Sequence, residues 1–171
     1  RSTLFPYTTL FRSSYIAYKE FTNMSKLYLP KTIKMVITDF DGVMTDGCVY
    51  ISDTGEFTRK LHFADVMGMA NLRKAGYKLG IISGEANKAI EMLAKKFNIE
   101  EVHQAIRVKI DVLKDILERH GLSQEEYVYI GDDVNDLGCL EYAKYKITLP
   151  HAPMRVKAVE GIQITEAECG N

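Results

Sequence analysis

Met35-Val36-Ile37-Thr38-Asp39-Phe40-Asp41-Gly42-Val43-Met44-Thr45-Asp46-Gly47 is the stretch from which the rest of the chain can be read. Its first four residues form a short apolar, β-branched run, the signature of a buried strand. The run ends on Asp39 and Asp41, two carboxylates two residues apart that can point into one crevice, and Gly42 lets the backbone turn sharply after them. Taken alone, the stretch also fits a calcium loop, a metal-binding DxD of sugar-nucleotide enzymes, or a turn rich in Asp by chance. An EF-hand loop needs Glu at its twelfth position. Counting twelve from Asp39 gives Tyr50, and a strand precedes the loop.

Outward from this point the chain alternates. Gly47–Ile51 and Glu56–Leu61 flank the turn signal Ser52-Asp53-Thr54-Gly55 and predict a β-hairpin. Helical spacing is read over Asp65–Ala75, Ala86–Phe97 and Lys109–His120, the first and last of these closed by Gly76 and Gly121. Lys78–Ile82, Glu101–His103, Tyr127–Ile130, Lys146–Leu149 and Gly161–Thr165 read as further strands, and Ser123 with Glu126 as a capping box before a short helical turn. Strands alternating with helices predict an α/β fold: a Rossmann-like parallel sheet with helices on both faces. Ligands of such sheets sit beyond the carboxyl ends of the strands. The polar clusters obey that rule, because Asp39, Ser83 and Asp132 each follow an apolar strand directly or one residue later.

Gly131-Asp132-Asp133-Val134-Asn135-Asp136 places three carboxylates within five residues. Their repulsion is relieved by solvent or by a hard cation, and Mg²⁺ takes one or two carboxylates plus waters and a substrate phosphate. Ser83-Gly84 and Lys109, each weak alone, would add a hydroxyl, backbone amides and a cation for a phosphate. The order D-x-D-G, S-G, K, G-D-D-x-x-D resembles the haloacid dehalogenase superfamily of phosphotransferases over roughly residues 34–165. The T-D-G continuation, the immediate hairpin flap in place of a cap domain, and Phe63-Ala64-Asp65-x-x-Gly68-Met69 are similar to its small capless branch of octulosonate 8-phosphate and nonulosonate 9-phosphate phosphatases.

The resemblance implies Asp39 as nucleophile and Asp41 as acid and then base. It implies Mg²⁺ on the Asp39 carboxylate, the Asp41 carbonyl and Asp132, with Asp133 and Asp136 supporting the metal loop. Ser83, Gly84 and Lys109 would bind phosphate, and Thr45, Asp65, Glu85 and Lys96 would set specificity. Two departures stand out. Ala64-Asp65-Val66-Met67-Gly68 replaces the branch's R-D-G-x-G, and Gly84-Glu85 replaces its G-R. Losing two basic side chains weakens the case for octulosonate, whereas Glu85 with Lys96 is more similar to the nonulosonate enzymes. Hairpins of that branch assemble a homotetramer and help to close a neighbour's site. The substrate implied is a small phosphorylated 2-keto-3-deoxy sugar acid, on the way to surface glycans. The rival readings are a non-catalytic oligomerisation domain of a sugar-activating enzyme, a phosphatase or phosphomutase for another small sugar phosphate, and a phospho-acceptor receiver domain.

Composition narrows the field independently. The 171 residues are 46% hydrophobic and carry 22 Lys+Arg against 23 Asp+Glu, a net charge of −1 that argues against nucleic acid and against a polybasic membrane surface. No run approaches the roughly 18 apolar residues of a membrane span. Cys48, Cys139 and Cys169 are scattered without a C-x-x-C pair, which points to a reducing cytoplasm. His62, His103, His120 and His151 show no ligand spacing and read as structural or surface residues; Met67, Met69 and Met92 read as core. Residues 1–32, which open on Arg-Ser-Thr-Leu-Phe-Pro-Tyr, are expected to be a non-native or disordered extension. Residues 33–171 are the expected phosphatase domain, clipped at its C-terminus.

Overall fold

A computed structural model describes residues 27–167. Most of the expected extension, the C-terminal end and Cys169 lie outside them. Six parallel strands form one sheet in the order β5-β4-β1-β6-β7-β8, comprising β1 (Met35–Thr38), β4 (Lys78–Ile82), β5 (Glu101–His103), β6 (Tyr127–Ile130), β7 (Tyr145–Thr148) and β8 (Gln163–Ile164). The chain leaves β1 towards β4 and β5, then returns to β1's other side for β6. The strand order therefore reverses between β1 and β6, which is where a doubly wound sheet opens a crevice.

Alternation along the strands divides the core. Val36, Val128 and Ile130 pack with Val66, Met69 and Leu72 of α1 (Phe63–Lys74) and with Ile90 and Leu93 of α2 (Lys88–Phe97). Met35, Ile37, Tyr127 and Tyr129 face the other way, onto α3 (Lys109–His120), α4 (Leu137–Tyr142) and Val156 of α5 (Met154–Lys157). Period-two side chains on a two-faced sheet demand this split. The first core also takes in Leu27 and Leu29, and the Gln163 side-chain amide donates to the Tyr28 carbonyl at 2.9 Å, so packed chain begins before the expected boundary at residue 33.

Between β1 and β4 the described chain inserts only a two-stranded hairpin, β2 (Tyr50–Ile51) and β3 (Phe57–Thr58), and α1; there is no cap domain. A single Thr45–Leu61 bridge ties the hairpin's root to the loop after β1. Several expectations shift. Helix α1 begins two residues early because the His62 imidazole caps it, accepting from the Ala64 amide through Nδ1 at 3.1 Å. Helix α2 begins two residues late, at the Asn87 cap. The Ser123–Glu126 stretch is a turn, with the Ser123 amide and hydroxyl both donating to the Glu126 carboxylate, and no helix follows. Met69 is core, but Met67 and Met92 are 54% and 71% exposed, since both lie off their helices' buried stripe. No helix among the described residues is long and apolar enough to cross a membrane.

Candidate active site

The carboxyl ends of β1 and β6 deliver a buried charge cluster. Asp39 follows β1 and is 4% exposed; its Oδ1 accepts from the Phe40 amide at 2.6 Å and lies 2.9 Å from the Lys109 ammonium. Lys109 opens α3, is buried, and also donates to Asp136 Oδ1 at 2.8 Å. Asp136 is fully buried. Its Oδ1 takes a second hydrogen bond from the Tyr129 hydroxyl at 2.7 Å, and its Oδ2 accepts the Asp132 and Asp133 amides at 3.2 and 3.3 Å. With four donors on two oxygens, Asp136 braces the loop and Lys109 and has no capacity left for a ligand.

Oxygens of Asp39, Asp132 and Asp136 lie within 4.8 Å of one another. Asp132 is buried, and its Oδ1 has no hydrogen-bond partner among the described residues. Its Oδ2 takes the His151 Nε2–H at 3.0 Å. Asp132 reaches this position only because residue 42 is glycine. A Cβ there would stand 2.1 Å from Asp132 Oδ2, and Gly42 has φ +86°, so both space and backbone require it. Exposed Asp133 accepts the Val134 amide at 2.7 Å and caps the 3₁₀ turn Val134–Asp136.

Asp41 sits at the mouth. Its Oδ1 accepts from Arg59 Nε at 2.7 Å and from the Thr45 hydroxyl at 3.4 Å, and its buried Oδ2 has no partner among the described residues. Thr45 is fully buried and its oxygen also accepts the Gly42 and Gly47 amides at 3.2 and 3.3 Å, so it locks the loop. Asp65 is likewise buried, at the start of α1. Ser83 ends β4 with its hydroxyl donating to the Glu85 carbonyl at 2.8 Å. Gly84 abuts the metal loop, with Asn135 Nδ2 3.2 Å from where its Cβ would be. Glu85 is exposed at the same edge. Lys96 is in the last turn of α2, beside Phe97, at the opposite edge of the sheet. The structure does not bring it to the crevice.

Electrostatics mark the cluster as charge-frustrated. Burial, then the Asp136 carboxylate, push Asp39 up to about 8 against the pull of Lys109. Asp132 is raised for the same reasons, with the His151 hydrogen bond opposing. Burial works against the Lys109 charge, but Asp136 and Asp39 outweigh it and hold the ammonium above the usual lysine range. A divalent cation beside Asp39 and the open Asp132 Oδ1 would relieve this excess of negative charge, so the residues present fit a hard metal with oxygen ligands.

Three residues of the site escaped the sequence reading. Arg59 carries no motif. Tyr129 looks like any apolar strand residue until its hydroxyl meets Asp136. His151 had a usable signal, since it follows strand β7 at the same sheet edge as the other polar residues.

A family model described as haloacid dehalogenase-like hydrolase matches residues 63–149. The chain is 29% identical over 141 residues to a 3-deoxy-D-manno-octulosonate 8-phosphate phosphatase of Haemophilus influenzae, covering 82% of this chain and 78% of that one. Against the enzyme of the same name from Escherichia coli K12, identity is 26% over 122 residues, covering 71% of this chain and 65% of the relative. The structure of a third such phosphatase, from Moraxella catarrhalis with magnesium ion, phosphate ion and KDO, superposes with a TM-score of 0.77 at 29% identity, covering 82% of this chain and 80% of that one.

Proposed function

The chain belongs to the haloacid dehalogenase-like hydrolases, and from that premise we propose that it is a Mg²⁺-dependent phosphatase of a 2-keto-3-deoxy sugar acid, octulosonate 8-phosphate or a nonulosonate 9-phosphate. The observation that carries the reading is buried Asp39, pinned by Lys109 and Phe40 through Oδ1, beside an Asp132 oxygen without a protein partner.

Pinning Oδ1 leaves Asp39 Oδ2 free to attack phosphorus. The new bond is Oδ2–P, the bond that breaks is P–O to the sugar, and Asp41 gives its proton to the departing oxygen. Asp41 then takes a proton from water as that water attacks phosphorus, and cleavage of Oδ2–P returns Asp39 and releases phosphate. Lys109 and the Gly84 and Glu85 amides bind phosphoryl oxygens; the Ser83 hydroxyl turns from the Glu85 carbonyl to join them. The Asp39 and Asp132 carboxylates and the Asp41 carbonyl would hold Mg²⁺, which would supply positive charge against the phosphoryl oxygens and the nucleophile. Asp133 and Asp136 keep its loop in shape.

For the sugar, Arg59 supplies a cation that the G-E and A-D departures had removed from the motif positions, and its guanidinium beside Asp41 suits a carboxylate. Glu85, exposed at the rim, favours a nonulosonate over an octulosonate. Association through the hairpin, to a homotetramer, is supported by its exposed Val49, Tyr50, Ile51 and Phe57, with Phe63 of α1 adjoining in sequence. The test is phosphate release from both sugar acid phosphates, in Mg²⁺ and in chelator. Turnover of at least one, in Mg²⁺ alone, is expected; no turnover of either contradicts the proposal.

A further inference from the structure

We propose that His151 is a positioning residue for the metal: its imidazole occupies one oxygen of Asp132 so that the other is committed to the cation. The inference rests on the metal-dependent reading above and deepens it.

The carboxylate of Asp132 is fixed from two sides. On one side lies Gly42, whose missing Cβ makes the room for Oδ2. On the other, His151 Nε2–H donates to that same Oδ2 at 3.0 Å. Oδ1 is left buried and without a partner among the described residues, on a carboxylate that lies in one acidic group with Asp39 and Asp136. A carboxylate free to rotate exchanges its oxygens and offers either one, or both, to a cation. Held at Oδ2, it presents one oxygen in one direction. Mg²⁺ demands near-octahedral geometry, so it gains more from such a fixed single oxygen than a larger, more tolerant cation does.

The loop carrying His151 is built to hold it still. Leu149-Pro150-His151-Ala152-Pro153 has a proline on either side of the His-Ala pair, and each fixes its own φ. The Ala152 amide donates to the Leu149 carbonyl at 3.1 Å, Ala152 is buried in the core, and the Lys157 ammonium donates to the Pro150 carbonyl at 2.8 Å. A merely solvated histidine needs none of this. The rival role, direct ligation by the imidazole, would favour transition metals over Mg²⁺ and would require His151 to let go of Asp132.

The experiment is calorimetric titration of the full chain with Mg²⁺ and, separately, Mn²⁺, without substrate, on wild type, His151→Ala and His151→Gln. Thermal melts of the metal-free proteins confirm folding. Glutamine places an N–H close to where the imidazole Nε2–H stands, so it keeps the Asp132 hydrogen bond but is a poor metal ligand. The proposal expects Mg²⁺ affinity to fall roughly 10- to 100-fold in His151→Ala, less for Mn²⁺, and to recover most of the way in His151→Gln. Unchanged Mg²⁺ affinity in His151→Ala overturns it. So does loss of Mn²⁺ affinity in both variants with Mg²⁺ untouched, which assigns His151 as a direct ligand. Wild-type protein that binds no Mg²⁺ overturns the metal-dependent reading itself, and this inference with it.

Discussion

Two carboxylates in this molecule are equally buried, at 4% exposure each, and they end up on opposite sides of neutrality. Glu101 begins β5 at the amino edge of the sheet. Arg119 grips it with both terminal nitrogens, Nη1 to Oε1 at 2.7 Å and Nη2 to Oε2 at 2.9 Å, and the Nε2 atoms of His103 and His120 each add a hydrogen bond at 2.8 Å. The Lys78 ammonium, which can only donate, lies 2.9 Å from His120 Nδ1, so His120 carries its proton on Nε2 and gives it to Glu101. Burial opposes the Glu101 charge, but these donors outweigh it and bring the carboxyl down to about 2. Asp39, at the carboxyl edge, shares its one ammonium with Asp136 and is pushed up to about 8. The amino edge balances its charge within the protein, as a structural tie between β5 and α3 should. The carboxyl edge leaves a deficit of positive charge, and a cation is what fills it.

The comparison can be broken most forcefully at Lys109. Lys109→Met strips the one buried cation from Asp39 and Asp136, and a loss of about 3–5 kcal/mol of stability in urea unfolding is expected, together with loss of turnover. A change below about 1 kcal/mol would show that the two carboxylates do not depend on it.

Glu101→Gln attacks the other edge. Because the folded carboxyl is lowered, its contribution is complete above the unfolded value near 4.5 and disappears as pH falls towards 2. It amounts to no more than about 3 kcal/mol. Unfolding curves should therefore show wild type losing its advantage over the variant between pH 4.5 and 2, while phosphate release per folded molecule stays as it was.

Mg²⁺ should sharpen the contrast from outside. A raised Asp39 makes the metal-free protein less stable as pH rises from about 4 to 8, since the folded state holds a proton that the unfolded one has lost. The cation takes that proton's place. Its stabilisation, about 2.7 kcal/mol at a hundred times its Kd, should grow across that window in thermal melts; a shift flat with pH would contradict the charge account. The smallest effect is expected at the mouth, where Arg59→Gln should lower kcat/KM for the sugar acid phosphate about tenfold, roughly 1.4 kcal/mol, mostly through KM.

The core of the site was legible because its chemistry is local in sequence. Asp39, Asp41, Asp132 and Asp136 each follow a strand, and period-two burial of Val36 against Ile37 announces a sheet covered on both faces. Lys109 was placed by its order in the chain, and the structure adds that it is buried between two carboxylates. The short helices α4 and α5 were harder: Leu137–Tyr142 makes fewer than two helical turns, too few to show a period. The hidden members of the site, Arg59, Tyr129 and His151, become polar partners only through contacts 7 to 19 residues distant in the chain, which no local pattern records. Thr45 and Asp65, which motif position assigns to the sugar, are as buried as Asp39 and Lys109, a property that no local pattern announces.

The most direct test of the central claim is phosphate release from octulosonate 8-phosphate and nonulosonate 9-phosphate by wild type and by Asp39→Asn, side by side in saturating Mg²⁺. The charge-deficient edge built around Asp39 predicts hydrolysis by wild type and a loss of at least roughly a thousandfold in the variant, even though without metal the variant, relieved of a buried carboxylate, should be the more stable of the two at pH 8. Turnover that survives Asp39→Asn undiminished would contradict the account.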